Sequence, residues 1–281
     1  MIDAKTKVSA KIFPAANAKF RFDAKTYNSC KGPPDENELT HFNTLGINIM
    51  PPRGGRYRVY VTRYPGEARV DVLELSMRPK PVMTWIGCVP PPENVLTNSV
   101  VGTPDGGFLL TNFYESGPKI KEARARAEAG EITGDVWSWH SGAGWKIVPG
   151  TQSSGTNGLA LSADGKFAYV AQWGSKTFMR VNLQGSPPVR DIIQLDYRPD
   201  NVHWAPDGKL LLAGHTATGG FVAKIDPATL EVTELLRRQD TPDFSHLTGA
   251  VEIGDEIWVG TTRANRIAIY PLDHKTRRFL P

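Results

Sequence analysis

The chain has 281 residues, a formal net charge of +4 and a pI near 9.0, and 40% of its residues are hydrophobic. A charge this small, without a basic stripe interleaved with aromatic residues, argues against nucleic-acid binding. The 27 glycines, 22 prolines and 7 tryptophans are typical of a turn-rich all-β protein with a sizeable core. No segment reaches the ~20 apolar residues that a transmembrane helix needs, so we expect no membrane span.

The start of the chain, residues 1–5, lacks the apolar region of a secretory signal. As written, the sequence therefore predicts a cytoplasmic protein, and a periplasmic or secreted one if the N-terminus is truncated. Cys30 and Cys88 are the only cysteines, and they lack the spacing of a metal site. One disulfide and two free thiols fit this pattern equally well.

Residues 1–43 are the least patterned part of the chain, and we expect two short strands at 11–13 and 19–22 there. The segment 119–132 is rich in Glu, Ala, Arg and Lys and predicts a polar helix inserted between strands, either a lid or a solvated surface helix. The basic run 274–278 is typical of a solvated terminus. The predicted strand pairs are 59–61 with 70–75, 108–111 with 136–139, 167–171 with 178–183, 210–213 with 221–225, and 257–260 with 266–270.

One pattern recurs along the chain, with an oxygen-bearing residue seven positions before the Asp of a tight turn that opens an apolar strand. The copies are Asn98 before Asp105-Gly106, Asn157 before Asp164-Gly165, Asp200-Asn201 before Asp207-Gly208 and Thr248 before Asp255-Glu256, with a degenerate copy from Leu45 through Arg53-Gly54-Gly55. Self-similar β-units with a period of roughly 45 to 60 residues are the signature of propeller blades. The repeated position would begin the innermost strand of each blade and point at one central channel.

The side chains at the repeated position carry oxygen atoms, which are the ligands of hard cations. An isolated Asn before Gly is usually a turn residue. Turn chemistry, however, does not require an amide or carboxylate seven residues before the turn. Three copies in register therefore favour a metal site, and we expect the cation to be Ca²⁺.

The segment Asn157-Gly158-Leu159-Ala160-Leu161-Ser162-Ala163-Asp164-Gly165 is followed by Asp200-Asn201 and by Leu212-Ala213-Gly214-His215. These motifs, together with Asn98-Ser99-Val100-Val101 and Tyr64-Pro65-Gly66, resemble the paraoxonase/arylesterase group and its gluconolactonase relatives. The resemblance covers roughly residues 44–272. It implies an all-β, six-bladed β-propeller forming a single domain over residues 1–281. Five blades are recognisable, and an irregular or incomplete first blade would lie in 1–43.

The resemblance also implies the site and its chemistry. Asn98, Asn157, Asp200 and Asn201 match ligands of a catalytic Ca²⁺, and His215 matches a histidine at the pocket rim. The implied activity is hydrolysis of a small-molecule lactone or ester, with the cation polarising the carbonyl. Asp200 and His215 are the predicted catalytic residues. Without the resemblance, a histidine in the position of His215 is more often a surface or hydrogen-bonded residue.

Three departures from the family weaken the hydrolase hypothesis. The family places a histidine directly before Gly46-Ile47, where this chain has Leu45, and a leucine cannot accept a proton. Tyr64 replaces a second family histidine, and no acid in 1–43 lies in a motif that matches the family's N-terminal carboxylate ligand. The alternatives are a non-hydrolytic propeller that binds a small ligand, and a strictosidine-synthase-like relative.

Two further histidines have weaker claims. His203 alternates with apolar residues on a predicted strand, and His246 lies in a predicted loop. The sequence contains no His-Glu-x-x-His, no phosphate-binding glycine loop and no Gly-x-Ser-x-Gly nucleophile elbow. No other catalytic motif therefore competes with the lactonase-type site.

Overall fold

The computed structural model describes residues 1–14, 18–64 and 68–272. Within these ranges the chain forms twenty strands in five sheets and two short helices. It is an all-β protein with a five-bladed β-propeller arrangement, and the predicted sixth blade is not supported. The chain divides into two compact units, residues 1–111 with 137–147 and residues 112–136 with 148–281. The single domain over 1–281 stays a prediction.

The first unit contains a five-stranded sheet and a one-turn helix. The sheet order is β1-β5-β4-β3-β2, with β1 parallel to β5 and the other neighbours antiparallel. The elements are β1 (Lys19–Phe20), α1 (Glu36–Thr40), β2 (Thr44–Ile49), β3 (Arg56–Arg63), β4 (Arg69–Ser76) and β5 (Val82–Val89).

The second sheet has the order β6-β7-β8-β9, and the division between the units falls within β7 and β8. Its strands are β6 (Val95–Gly102), β7 (Phe108–Glu115), β8 (Asp135–His140) and β9 (Gly144–Ile147). The predicted inserted helix is present as α2 (Ile120–Glu128). It ends earlier than predicted because Gly130 takes φ +85°, a left-handed conformation that ends helices.

The second unit contains the last three sheets, each an antiparallel meander in chain order. The first is β10 (Thr156–Leu161), β11 (Phe167–Gln172), β12 (Thr177–Asn182) and β13 (Arg190–Gln194). The second is β14 (Arg198–Trp204), β15 (Leu210–His215), β16 (Gly219–Ile225) and β17 (Val232–Gln239). The third is β18 (Leu247–Ile253), β19 (Glu256–Thr261) and β20 (Ala268–Pro271). The five predicted strand pairs are all found, as β3–β4, β7–β8, β11–β12, β15–β16 and β19–β20.

The segment 1–43 does not form a sixth blade. Among its described residues, 1–14 and 18–43, it has one strand, β1, which is two residues long and adds to the edge of the first sheet beside β5. The second helix, α1, was not predicted, although Asp35 and Glu38 form a reciprocal capping box at its start. The predicted strand at 11–13 is absent.

Five strands, β2, β6, β10, β14 and β18, begin the repeated units and are called the lead strands here. In four of them the register with the next strand shifts at the same place. The shifts lie between Thr44 and Ile47, between Thr156 and Leu159, between Pro199 and Val202, and between Leu247 and Gly249. These are the positions of the sequence repeat. The sequence repeat therefore marks a β-bulge in these four strands. A bulge changes the direction of side chains and is common beside active sites.

One face of the first sheet lines an apolar cavity of about 690 Å³. Leu45, Ile47 and Ile49 of β2 contribute to its wall, and they are 44%, 57% and 51% exposed. Leu45, which stands where the resemblance implies a histidine, therefore lies on an aliphatic surface.

In the described ranges no helix has the length and hydrophobicity to cross a bilayer. The basic run 274–278 lies outside the described residues, as do Pro65 and Gly66 of the Tyr64 motif. The predicted location stays a prediction.

Cys30 and Cys88 form a disulfide that joins the N-terminal segment to β5 across 58 positions of the sequence. Because a cross-link of this span restricts the unfolded chain, we expect its reduction to lower the free energy of unfolding by about 4 kcal/mol. Urea denaturation with and without dithiothreitol measures the difference. The Cys30→Ser/Cys88→Ser variant is the control, since its midpoint should not respond to the reductant. Equal midpoints for the oxidised and reduced wild-type chain would contradict the expectation.

Candidate functional site

The second unit brings together Asn157, Asp200, Asn201 and His215, four of the five predicted site residues. Asn157 lies in the bulge of β10, and Asp200 and Asn201 lie in the bulge of β14. A Cβ on Gly158 would come within 2.1 Å of the Asp200 carbonyl oxygen. Only glycine permits so close an approach of β10 to β14, which places Asn157 beside Asp200.

Asn98, the fifth predicted residue, belongs to the first unit. It lies on β6, and its carbonyl oxygen accepts a hydrogen bond from Thr62 Oγ1 at 2.7 Å. The same hydroxyl accepts from the Gly46 backbone N–H at 2.7 Å, so it links two lead strands. A role for Asn98 as a metal ligand stays a prediction.

The Asp200 side chain is 13% exposed and its partners are amides. Asn201 Nδ2 donates to Asp200 Oδ1 at 2.9 Å and to the Thr248 carbonyl oxygen at 2.8 Å. Burial raises the pKa of Asp200 to about 8, against the effect of a hydrogen bond from the Asn157 side chain. With no cation beside it, the carboxyl group therefore keeps its proton at pH 7.

The Asn157 side-chain oxygen is buried and has no hydrogen-bond partner among the described residues. Leaving such an acceptor unpaired costs about 1–3 kcal/mol. An orphaned amide oxygen beside a buried carboxyl group suits a hard cation such as Ca²⁺, which takes oxygen ligands from both groups. The donors fit calcium, although the described part of the chain contains no cluster of three or more His, Cys, Asp or Glu residues that could hold a metal.

His215, the last residue of β15, is the imidazole nearest to Asp200. Its Nε2 lies 3.9 Å from Asp200 Oδ2 and 3.3 Å from Trp173 Nε1. The indole N–H can only donate, so Nε2 of His215 is the acceptor and carries no proton. The proton then belongs on Nδ1, which lies 3.4 Å from the Thr216 carbonyl oxygen.

Burial is the main cause that lowers the pKa of His215 to about 4, and the neighbouring His246 and Arg198 lower it further. The imidazole is therefore neutral at pH 7. Asp200 and His215 together form a neutral acid and a neutral base in contact range, which is uncommon outside functional sites.

Trp173 connects this pair to the helix α2. The Arg198 guanidinium lies 4.2 Å from the Trp173 ring centroid and donates to the carbonyl oxygens of Trp173 and Gly174, each at 3.1 Å. Ser154 Oγ donates to the Ala127 carbonyl oxygen of α2 at 2.8 Å. The helix therefore packs beside the site within the second unit, and its predicted role as a lid stays a prediction.

His246 was a weak candidate in the sequence, and the structure brings it to the site. Its ring stacks on that of His215, with centroids 4.5 Å apart and planes at 28°. No spacing or motif in the sequence signals this contact, because the loop that carries His246 joins two different sheets.

No family model matches the chain, and no curated protein matches it. Among solved structures, a putative 6-phosphogluconolactonase from Bacteroides fragilis is similar with a TM-score of 0.52 and 14% identity, over 83% of this chain and 81% of that one. The periplasmic gluconolactonase of Pseudomonas aeruginosa has a TM-score of 0.49 and 17% identity, over 80% and 65%. A luciferin-regenerating enzyme has a TM-score of 0.49 and 18% identity, over 84% and 75%.

At these identities the first similarity shows the β-propeller fold alone, and the two with TM-scores below 0.5 carry no further argument. They include lactonase propellers, and they give no support for the paraoxonase group in particular.

The shifted pKa of Asp200 makes stability depend on pH. A carboxyl group whose folded pKa is about 8 and whose unfolded pKa is 3.8 stabilises the fold fully at low pH, and this contribution is lost as pH rises towards 8. His215 acts in the opposite direction, but only below its ordinary value of 6.5. In chelator, we expect the free energy of unfolding to fall by about 2 kcal/mol between pH 6.5 and 8.

Urea denaturation at a series of pH values measures this decline in the free energy of unfolding. The Asp200→Asn variant is the control, because an amide does not titrate and the decline should be absent. Parallel pH profiles for the two chains would contradict the assignment.

Proposed function

We propose that this protein hydrolyses lactones or esters of small molecules at the site around Asp200, with Ca²⁺ as its cofactor. The observation that carries the proposal is the buried Asp200–His215 pair beside the unpartnered Asn157 oxygen. Unsatisfied acceptors and perturbed carboxyl groups cluster at functional sites because their cost must be offset by a ligand or a reaction.

The residues that would hold Ca²⁺ are Asn157, Asp200 and Asn201, with Asn98 as a predicted further ligand. The cation, when bound, supplies a Lewis acid for the substrate carbonyl and its developing negative charge. A nearby positive charge also favours the ionised carboxylate, so Asp200 would lose its proton on binding. Asn201 then keeps its position through the hydrogen bonds to Asp200 Oδ1 and the Thr248 carbonyl oxygen.

Hydrolysis of a lactone also requires a positioned water and a proton acceptor. The ionised Asp200 carboxylate accepts a hydrogen bond from water and so orients it. His215, held by Trp173 and by burial, forms the wall beside that carboxylate. A lactone substrate is consistent with the fold similarity to a protein titled putative 6-phosphogluconolactonase, and this part of the argument is an analogy between folds.

Calcium binding can be tested without any assay of activity. A ligand that binds only the folded chain stabilises it by ~2.7 kcal/mol at a hundredfold excess over Kd. We expect the melting temperature to rise with added Ca²⁺, and Asp200→Asn to lose most of this gain because it removes the ligand charge. Asp191→Asn is the matched control, since Asp191 pairs with Arg180 on β12 and should leave the gain intact. Superimposable melting curves in calcium and in chelator would exclude the metal site.

The hydrolase activity can be tested with aryl esters and with five- and six-membered lactones in the presence of calcium. We expect turnover by the wild-type chain, and a loss of at least ~10²-fold in Asp200→Asn, because the group that orients water and metal is removed. His215→Gln should lose less. His140→Gln is the control, since His140 pairs with Asp105 on the surface of the first unit. A calcium-bound chain with no turnover would favour the propeller that only binds a ligand.

A further inference from the structure

His246 differs from His215 in its access to solvent. The His246 side chain is 23% exposed, whereas that of His215 is 9% exposed. The described residues offer no hydrogen bond to Nε2 of His246, whereas Nε2 of His215 already accepts from Trp173. Of the two stacked rings, His246 is therefore the more exposed one, and its Nε2 has no hydrogen-bond partner among the described residues.

The loop that carries His246 is held firmly on both sides. Asp240 Oδ1 accepts from the His246 backbone N–H at 3.3 Å, and Thr241 and Phe244 close the loop through a β-bridge. Thr261 Oγ1 donates to the Ser245 carbonyl oxygen. His246 itself takes φ +54°, a left-handed conformation that non-glycine residues adopt infrequently. Such backbone strain is common where a side chain must point in one direction for function.

Asp240 also faces the imidazole. Its Oδ2 lies 3.7 Å from His246 Nδ1, which is longer than a hydrogen bond but close enough for attraction between charges. Nδ1 of His246 is buried and lacks another partner among the described residues. Contacts of this kind between catalytic groups are often long in the absence of substrate and shorten when it binds.

We propose that His246, oriented by Asp240, is the proton-transfer residue of this site and performs the task that Leu45 cannot. The proposal rests on the hydrolase function argued above. The family histidine would stand on β2 at the position of Leu45, whereas His246 lies in the loop between β17 and β18. Asp240 is a positioning residue for His246. A base held by a carboxylate is the usual arrangement for activating a nucleophile.

For a lactone, hydrolysis at this site has an addition step and an elimination step. The water oxygen forms a bond to the carbonyl carbon while one water proton moves to Nε2 of His246, and the carbonyl electron pair moves onto oxygen. As the pair returns, the ring C–O bond breaks, and the leaving alkoxide takes the proton from the imidazolium. The product is the hydroxy acid. Asp240, which faces the imidazole, stabilises the imidazolium.

The groups around His246 set its protonation state. Burial lowers the pKa of His246 below its ordinary value, as do the positive charges of Arg263 and Arg124, against the opposing effect of Asp240. His215, the stacked neighbour, is neutral at pH 7 because its own pKa lies at about 4. The imidazole of His246 is therefore unprotonated at neutral pH, and its protonation meets no charge on the ring beneath it.

The test compares His246→Gln, His215→Gln and the control His140→Gln in the calcium-loaded protein. For His246→Gln we expect kcat to fall ~10²- to 10⁴-fold, as for the loss of a general base. KM should stay within a few-fold and the calcium-dependent rise in melting temperature should persist. Added imidazole should restore part of the activity of His246→Ala, which a merely structural role would not allow.

Asp240→Asn tests the positioning role. We expect kcat to fall about tenfold or more and the acidic limb of the kcat/KM profile to move to lower pH, because the carboxylate that favours the imidazolium is gone. Wild-type kcat in His246→Gln, with activity lost in His215→Gln, would overturn the assignment of His246 and leave the hydrolase proposal standing. A wild-type chain that binds calcium and hydrolyses nothing would overturn both.

Discussion

The close approach of β10 to β14 at Gly158 is the constraint on which the site depends. With a side chain at this position, the Asp200 carbonyl oxygen would lie 2.1 Å from its Cβ, so the two bulges could not meet. Gly46 allows the same approach in the first unit, where a Cβ would lie 2.4 Å from the Asn98 carbonyl oxygen. Gly46 and Gly158 therefore each permit a close approach between two lead strands, β2 with β6 and β10 with β14.

Burial of the Asp200 carboxyl group follows from this packing and sets its chemistry. The group is surrounded by amides and a neutral imidazole, none of which offsets a negative charge. Burial therefore keeps the carboxyl group protonated near pH 7, and ionising it there costs free energy that a bound cation would offset. The unpaired Asn157 oxygen adds a second cost with the same remedy. Asn157 and Asp200 occupy the repeated position on β10 and β14, which approach closely. The unpaired oxygen and the buried carboxyl group therefore occur together.

The strand pairs and the register of the repeat were predictable because they depend on local patterns. Asp-Gly turns define hairpins, and the repeat in Asn157 and Asp200 locates the bulges to within a residue. The number of blades was not predictable from the resemblance, since segment 1–43 forms a strand at a sheet edge and a capped helix instead. The capping box at Asp35 and Glu38 was the signal for that helix. The disulfide was left open because pairing depends on how the segment folds against β5.

The stacked histidines show why the contact of His246 with the site could not be predicted from the sequence. His215 lies at the end of a motif strand, whereas His246 lies in a loop whose path is fixed by Asp240 and by the bond from Thr261. The sequence spacing between the two histidines does not indicate a contact, because His246 lies in a loop that joins two different sheets. In the second unit, strand β15 places the His215 imidazole 3.9 Å from Asp200, and a loop stacks the His246 ring on it. The loss of one motif residue is therefore weak evidence against activity on this fold, since such loops can vary without disturbing the strands that hold the site.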